Sequence, residues 1–411
     1  MPLLVVAVAA LLPPVVSPST MPRKYLPGSS LPRSSPKAVT NATHRNIRHR
    51  SCDKVWPNQI NTTGLTHLIL SSAAIDPKTF EIHLMHPSDE DTYKQFLALP
   101  DTVAKWISLG FGQTDCDCSD PAVARHNWAT MSSSPENRGA FVKSLSQFLQ
   151  KWHFKGVHID WEWSHAMNRG GNDQANKQDL VDTIALVRQS FGQDTGLSAS
   201  LPAQNETLSH MDLQGLQAHV DWFDAVTYDL HGPWDSSDTR YGPYIKPHTD
   251  VAEIDKALGL YWSAGVTPNK VNLGVSNYGR GYTVANTTCA WYGCKFTRGS
   301  TAGACTKTEG VLSACEIRRI IAEKKLTPKF IDGGAGVKEI SWDDQWVGYD
   351  DQDTFDLKLS FANDHCLGGT ALWAIDRQIC DGRYVIADFL IMLPLTAAHS
   401  LDHLWDGTLL V

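Results

Sequence analysis

Between residues 60 and 380, short apolar runs of strand length alternate with longer stretches whose apolar residues recur every three or four positions. Seven runs read as strands: 65–74 (LTHLILSSAA), 103–110 (VAKWISLG), 156–162 (GVHIDWE), 197–201 (LSASL), 222–228 (WFDAVTY), 271–275 (VNLGV) and 370–375 (TALWAI). Of the helical stretches, one opens at Ser134-Pro135, with Ser as the N-cap and Pro in the first turn, and runs to about residue 152. Others cover 174–191 and 251–264. Strands alternating with helices over this length predict a parallel sheet with helical crossovers, and seven or eight such units suit a closed ring. The expected fold class is therefore α/β, a (β/α)8 TIM barrel. An eighth strand should precede residue 65, but residues 40–56 are polar and supply no clear one, so the first strand is left open.

The rhythm breaks over 281–349, which holds Cys289, Cys294, Cys305 and Cys315, several Gly, and strand-like pieces at 338–341 and 345–349 around a helix near 313–324. This stretch reads as a small α+β insertion between the last two strands. At the N-terminus, the apolar run 3–12 has the length of a signal-peptide core, although no Lys or Arg precedes it and Pro13-Pro14 ends it. It is too short to span a bilayer. The implied plan is a lead-in over 1–40, a barrel over 41–380 containing the insertion, and a tail over 381–411.

Composition narrows the function. The net charge of −8 and the absence of a basic run argue against a nucleic-acid partner. Nine cysteines without histidines at finger-like spacing favour disulfides over zinc, and the odd count leaves one over. Four glycosylation sequons, at Asn41, Asn61, Asn205 and Asn286, agree with the secretory route. Fourteen Trp could provide stacking platforms for sugar rings, though any single Trp is more often core.

The run GVHIDWEW carries the chemistry. Strand alternation places His158, Asp160 and Glu162 on one face and Val157, Ile159 and Trp161 on the other. The apolar set must face the helices, so the polar set faces the barrel axis. Glu162 then stands at the C-terminal mouth, where barrel enzymes place catalysis. Asp160 sits roughly 7 Å back along the strand, close enough for one carboxylate to raise the pKa of the other.

FKGVHIDWEW resembles the signature strand of family-18 glycoside hydrolases, D-G-x-D-x-D-x-E. Further pieces agree in order: THLILSSAAIDP, DWFDAVTYDLHGPWD, LGVSNYGRGY, QWVGYDD and LGGTALWAID. Together with the RGG at 169–171 and the insertion cysteines, they are most similar to fungal chitinases of the killer-toxin-like group. The resemblance implies a secreted chitinase acting on β-1,4 bonds of chitin or N-acetylglucosamine oligomers, more often within the chain than from its end. In this family the substrate's own N-acetyl carbonyl attacks C1, and no protein nucleophile is used. Carried over, Glu162 is the general acid and then the base. Asp160 orients the acetamido group, Tyr228 hydrogen-bonds it, and Asp229 contacts the sugar beside it. Trp373 floors the reacting ring, Tyr278 and Arg280 belong to the cleft, and Trp234 and Trp346 either stack neighbouring sugars or belong to the core. No metal, organic cofactor or membrane span is implied, and a monomer is expected.

Two signature positions depart: Lys155 and His158 stand where the family has Asp. A charged His158 would pair with Asp160 and hold it back from Glu162, whereas a neutral one would donate one hydrogen bond and leave Asp160 free. SLGFG at 108–112 also replaces the family's double Gly. The expectation is a slower enzyme, poor at low pH. The alternative is a chitin-binding, lectin-like protein that has lost turnover.

Overall fold

The strand that the apolar pattern did not supply is Lys37–Thr43 (β1), which pairs in parallel with His67–Ile75 (β2). In this computed structural model the described residues are 52–114, 128–160, 173–331, 333–377 and 380, together with Val5–Val6 and β1. From β2 the sheet continues in parallel through Ala104–Thr114 (β3), Gly156–Asp160 (β4), Gly196–Pro202 (β5), Trp222–Val226 (β6), Val271–Ser276 (β7) and Gly369–Trp373 (β8). The dipeptide Val5–Val6 lies antiparallel between β8 and β1 and closes the ring. Part of the 3–12 run thus sits in the sheet.

Local chemistry sets the helix starts. Ser134 adopts an extended conformation and accepts a hydrogen bond from the Asn137 N–H, and Pro135 then opens the helix Pro135–Trp152. The helices Asp173–Phe191 and Val251–Ser263 lie where the three- and four-residue spacing placed them. Val157 and Ile159 face outward into a core shared with Phe141, Leu145 and Ile184 of these helices.

Inside the ring, Trp106 and Trp222 pack at a tilt with centroids 4.5 Å apart, and His67 packs on both. Space for this floor comes from Gly156 and Gly196. A Cβ on either would stand within 2.4 Å of the Trp106 ring. Above the indoles the interior turns polar, and the functional groups begin there.

The insertion starts directly after β7. Its antiparallel sheet runs Phe296–Gly299, Tyr278–Val284, Gln345–Tyr349, Lys338–Trp342 and Lys329–Phe330 in order, with Val311–Ser313 pairing beside Tyr278–Val284. The helix Ala314–Lys324 packs with it, its start fixed by a reciprocal Ser313–Glu316 cap. Cys52–Cys305 ties the insertion to the β1–β2 connection and Cys315–Cys380 ties it to the chain just after β8, and Cys289–Cys294 closes a short loop within it. Cys366 is an exposed free thiol, and Cys116 and Cys118 lie outside the described residues. No helix among the described residues is long and apolar enough to cross a membrane.

Candidate active site

Every second residue of β4 points inward. The parallel register sets His158 beside Ser108 of β3 and Ser198 of β5, and Asp160 beside Gly110. Gly110 is required there: a Cβ would lie 2.1 Å from the Asp160 carbonyl oxygen. Within the SLGFG sequence, this glycine lets β3 approach β4 closely beside Asp160. Glu162 lies just beyond β4 and outside the described residues, as does the RGG at 169–171.

Asp160 is buried, 5% exposed, and its Oδ1 accepts a 2.7 Å hydrogen bond from the Ser200 hydroxyl. Behind it, His158 is fully enclosed. Its Nε2 lies 3.0 Å from Ser200 Oγ, its Nδ1 2.8 Å from Ser198 Oγ and 3.5 Å from Asp224 Oδ2. Burial depresses the imidazole pKa to about 3, so His158 is neutral at all ordinary pH. The charged alternative raised by the sequence is therefore not the one the fold holds. The neutral ring reaches Asp160 through Ser200 rather than directly. Lys155 is exposed just before β4 begins, at the end of the barrel away from the mouth, so its substitution does not touch the site.

Tyr228 and Trp373 stand at the C-terminal mouth with ring centroids 6.1 Å apart. They line a cavity of about 1020 Å³ with Asp160, Asp229, Trp234 and Arg280. Asp229, with a left-handed backbone at φ 57°, turns its carboxylate onto Arg280, whose Nε donates at 2.7 Å and whose terminal nitrogen donates to the second oxygen. Burial pushes the Asp229 carboxyl up, but Arg280 overrides this and holds it well below the usual carboxylate range. His248 also braces this turn. Its Nδ1 accepts from the Asp229 N–H and its Nε2 donates to the Tyr278 carbonyl, which fixes the tautomer.

Six predicted residues thus meet in one cleft: Asp160, Tyr228, Asp229, Trp234, Arg280 and Trp373. Trp234 is 46% exposed, with the Arg280 guanidinium 4.8 Å from its ring centroid. Tyr278 is buried behind Asp229 and donates to its Oδ1 at 2.7 Å, so it supports the cleft wall from behind. Of the two readings open for Trp346, the fold holds the core one. It is fully buried in the insertion core against Tyr282 and Phe296, and its Nε1 donates to Glu339 at 2.7 Å. No sugar can stack on it.

The sequence reading missed Ser198, Ser200 and Asp224. The alternation of LSASL and WFDAV signals that they face inward, but which groups they meet depends on the register between strands. It also missed the wall beside Trp234. There the buried His231 bridges Asp235 and Glu253 at 2.6 Å each. Burial opposes its charge, but the two carboxylates prevail and raise its pKa.

Fold and site together define a parallel α/β barrel with a carboxylate-lined, aromatic-floored cleft at its C-terminal mouth. Residues 39–378 match the family model "Glycosyl hydrolases family 18", and the chain belongs to that family. Among curated proteins it is 32% identical over 243 residues to the killer toxin subunits alpha/beta of Kluyveromyces lactis, covering 58% of this chain and 21% of that one. It is 28% identical over 364 residues to the probable chitinase LysM11 of Penicillium expansum, covering 80% and 31% respectively. The chain therefore spans a fifth to a third of the length of these two relatives. Chitotriosidase-1 of Mus musculus is 24% identical over 367 residues, covering 85% and 75%. Among solved structures, catalytic domain 2 of the Ostrinia furnacalis Group II chitinase has the same fold, with a TM-score of 0.72, 24% identity and coverage of 82% and 89%.

Proposed function

We propose that this chain is a secreted chitinase that hydrolyses β-1,4 bonds between N-acetylglucosamine units with retention of configuration, cutting within the polymer. Glu162 protonates the leaving oxygen while the substrate's acetamido carbonyl attacks C1, and Glu162 then deprotonates the incoming water. Asp160 and Tyr228 hold the acetamido group, Trp373 packs under the apolar face of the reacting sugar, and Asp229 and Trp234 engage its neighbours. The observation that supports this most is the convergence of Asp160, Tyr228 and Trp373 on one cavity from three different barrel strands and their loops. Among the relatives, a solved Ostrinia furnacalis chitinase domain is described in complex with a chitooligosaccharide, a ligand of the class proposed here.

The test is anomer-resolved proton NMR of N-acetylglucosamine hexamer digestion, beside a fully deacetylated oligomer. New β-anomers appearing first from the acetylated chain, with the deacetylated chain uncut, support the reading. Initial α-anomers, or cleavage of both chains, contradict it. Retained oligomer binding without any new reducing end would favour the lectin-like alternative.

A further inference from the structure

His158 stands two residues before Asp160, where the resembled family has an Asp. The structure puts no direct hydrogen bond between the imidazole and the Asp160 carboxylate. It puts a hydroxyl there. Ser200 Oγ lies 2.7 Å from Asp160 Oδ1 and 3.0 Å from His158 Nε2, while on the far side Nδ1 faces Ser198 Oγ at 2.8 Å and Asp224 Oδ2 at 3.5 Å. All five side chains are buried. Asp224 is itself held in place: its Oδ1 accepts from Asn272 Nδ2 at 2.7 Å and from Trp222 Nε1 at 3.1 Å, so Oδ2 is the oxygen turned to the histidine.

We propose that Ser200 and His158 form a proton relay between Asp224 and Asp160. The inference rests on the hydrolase reading for its catalytic consequence, but not for its existence.

Hydrogen-bond valence fixes the direction of the relay. A serine hydroxyl has one proton, and an ionised carboxylate only accepts. While Asp160 is ionised, Ser200 must donate to it, so His158 must carry its proton on Nε2 and donate to Ser200. Reversal moves one proton along the line. The relay requires Asp224 to start as the neutral acid: its carboxyl gives its proton to Nδ1, Nε2 passes its proton to Ser200 Oγ, and Ser200 passes its own to Asp160 Oδ1. Asp224 is left as the carboxylate and Asp160 as the acid. Three O–H or N–H bonds break, three form, and the imidazole stays neutral in both states while changing tautomer. His158 and Ser200 are thus positioning residues that act through Asp160.

The relay predicts a tautomer that can be read without any turnover. In ¹⁵N-histidine-labelled full chain near pH 7, His158 should show the Nε2–H tautomer. In Ser200→Ala the Nε2 proton loses its acceptor, whereas Nδ1 still faces Ser198 and Asp224, so the Nδ1–H tautomer should take over. The same tautomer in both proteins, or Nδ1–H in the wild type, overturns the relay. In turnover, Ser200→Ala should lower kcat about tenfold with KM within about twofold, and Ser200→Thr should restore it. In a His158→Asp background, where a carboxylate again lies next to Asp160, Ser200→Ala should cost less than about twofold. Equal losses in both backgrounds, or a loss confined to KM, contradict it. A chain that switches tautomer but cuts no chitin would sink the hydrolase reading and leave the relay standing.

Discussion

Arg280 grips Asp229 through two nitrogens at once, from the first insertion strand to the loop after β6. This pair joins the insertion to the cleft wall, which explains why a segment that interrupts the barrel rhythm belongs to the site. Lys cannot reproduce a two-pronged contact with a carboxylate. Arg280→Lys should lower stability by about 1–3 kcal/mol, less than a fully buried pair because Asp229 retains 33% side-chain exposure. It should also raise KM for oligomers more than Tyr278→Phe, which removes a single hydrogen bond to the same carboxylate. Thermal melts together with Michaelis analysis of both variants check this.

Two buried histidines make stability fall on both sides of pH 6.5. His158 is held neutral to about pH 3, so between pH 6.5 and 3 the unfolded chain binds a proton that the folded chain does not. Stability should therefore fall as pH drops through that window, with His248 acting in the same direction. His231 is shifted upward, so its contribution is complete below pH 6.5 and is lost as pH rises through its folded value. Melting temperature against pH should therefore peak near 6.5. His158→Asn should flatten the acid limb and His231→Asn the alkaline one. A flat profile in the wild type would contradict the assignment.

The two tryptophans that the sequence treated alike should behave oppositely. Trp346→Ala empties a fully buried site and should cost about 3–5 kcal/mol. Trp234→Ala removes an exposed ring and should leave stability within about 1 kcal/mol, while weakening oligomer binding about tenfold. Denaturant unfolding and calorimetric titration with an oligomer separate the two effects.

The parts of the molecule legible in advance were those encoded by local periodicity. GVHIDWEW announced its inward face because its polar residues alternate with branched and aromatic ones, and His158 and Asp160 do face the axis while Val157 and Ile159 meet the helices. The first strand was not legible. KAVTNAT has one strongly apolar residue, Val39, and its place comes from hydrogen bonds to a strand about 30 residues onward. Trp346 could not be told from a sugar platform because its burial is imposed by Tyr282 and Phe296, brought against it by the fold. Ser200 was legible as inward-facing, but its partners Asp160 and His158 lie 40 and 42 residues away and follow only from inter-strand register.

The proposed cleavage of chitin through the carboxyl at position 162 is open to direct measurement. Reducing-end release from N-acetylglucosamine hexamer should be compared between wild type and Glu162→Gln at equal, folded concentrations, with oligomer binding measured in parallel. Steady product release by the wild type is expected, with a loss of at least about 100-fold in the variant and binding retained. Equal release by both proteins, or none by the wild type, would contradict it.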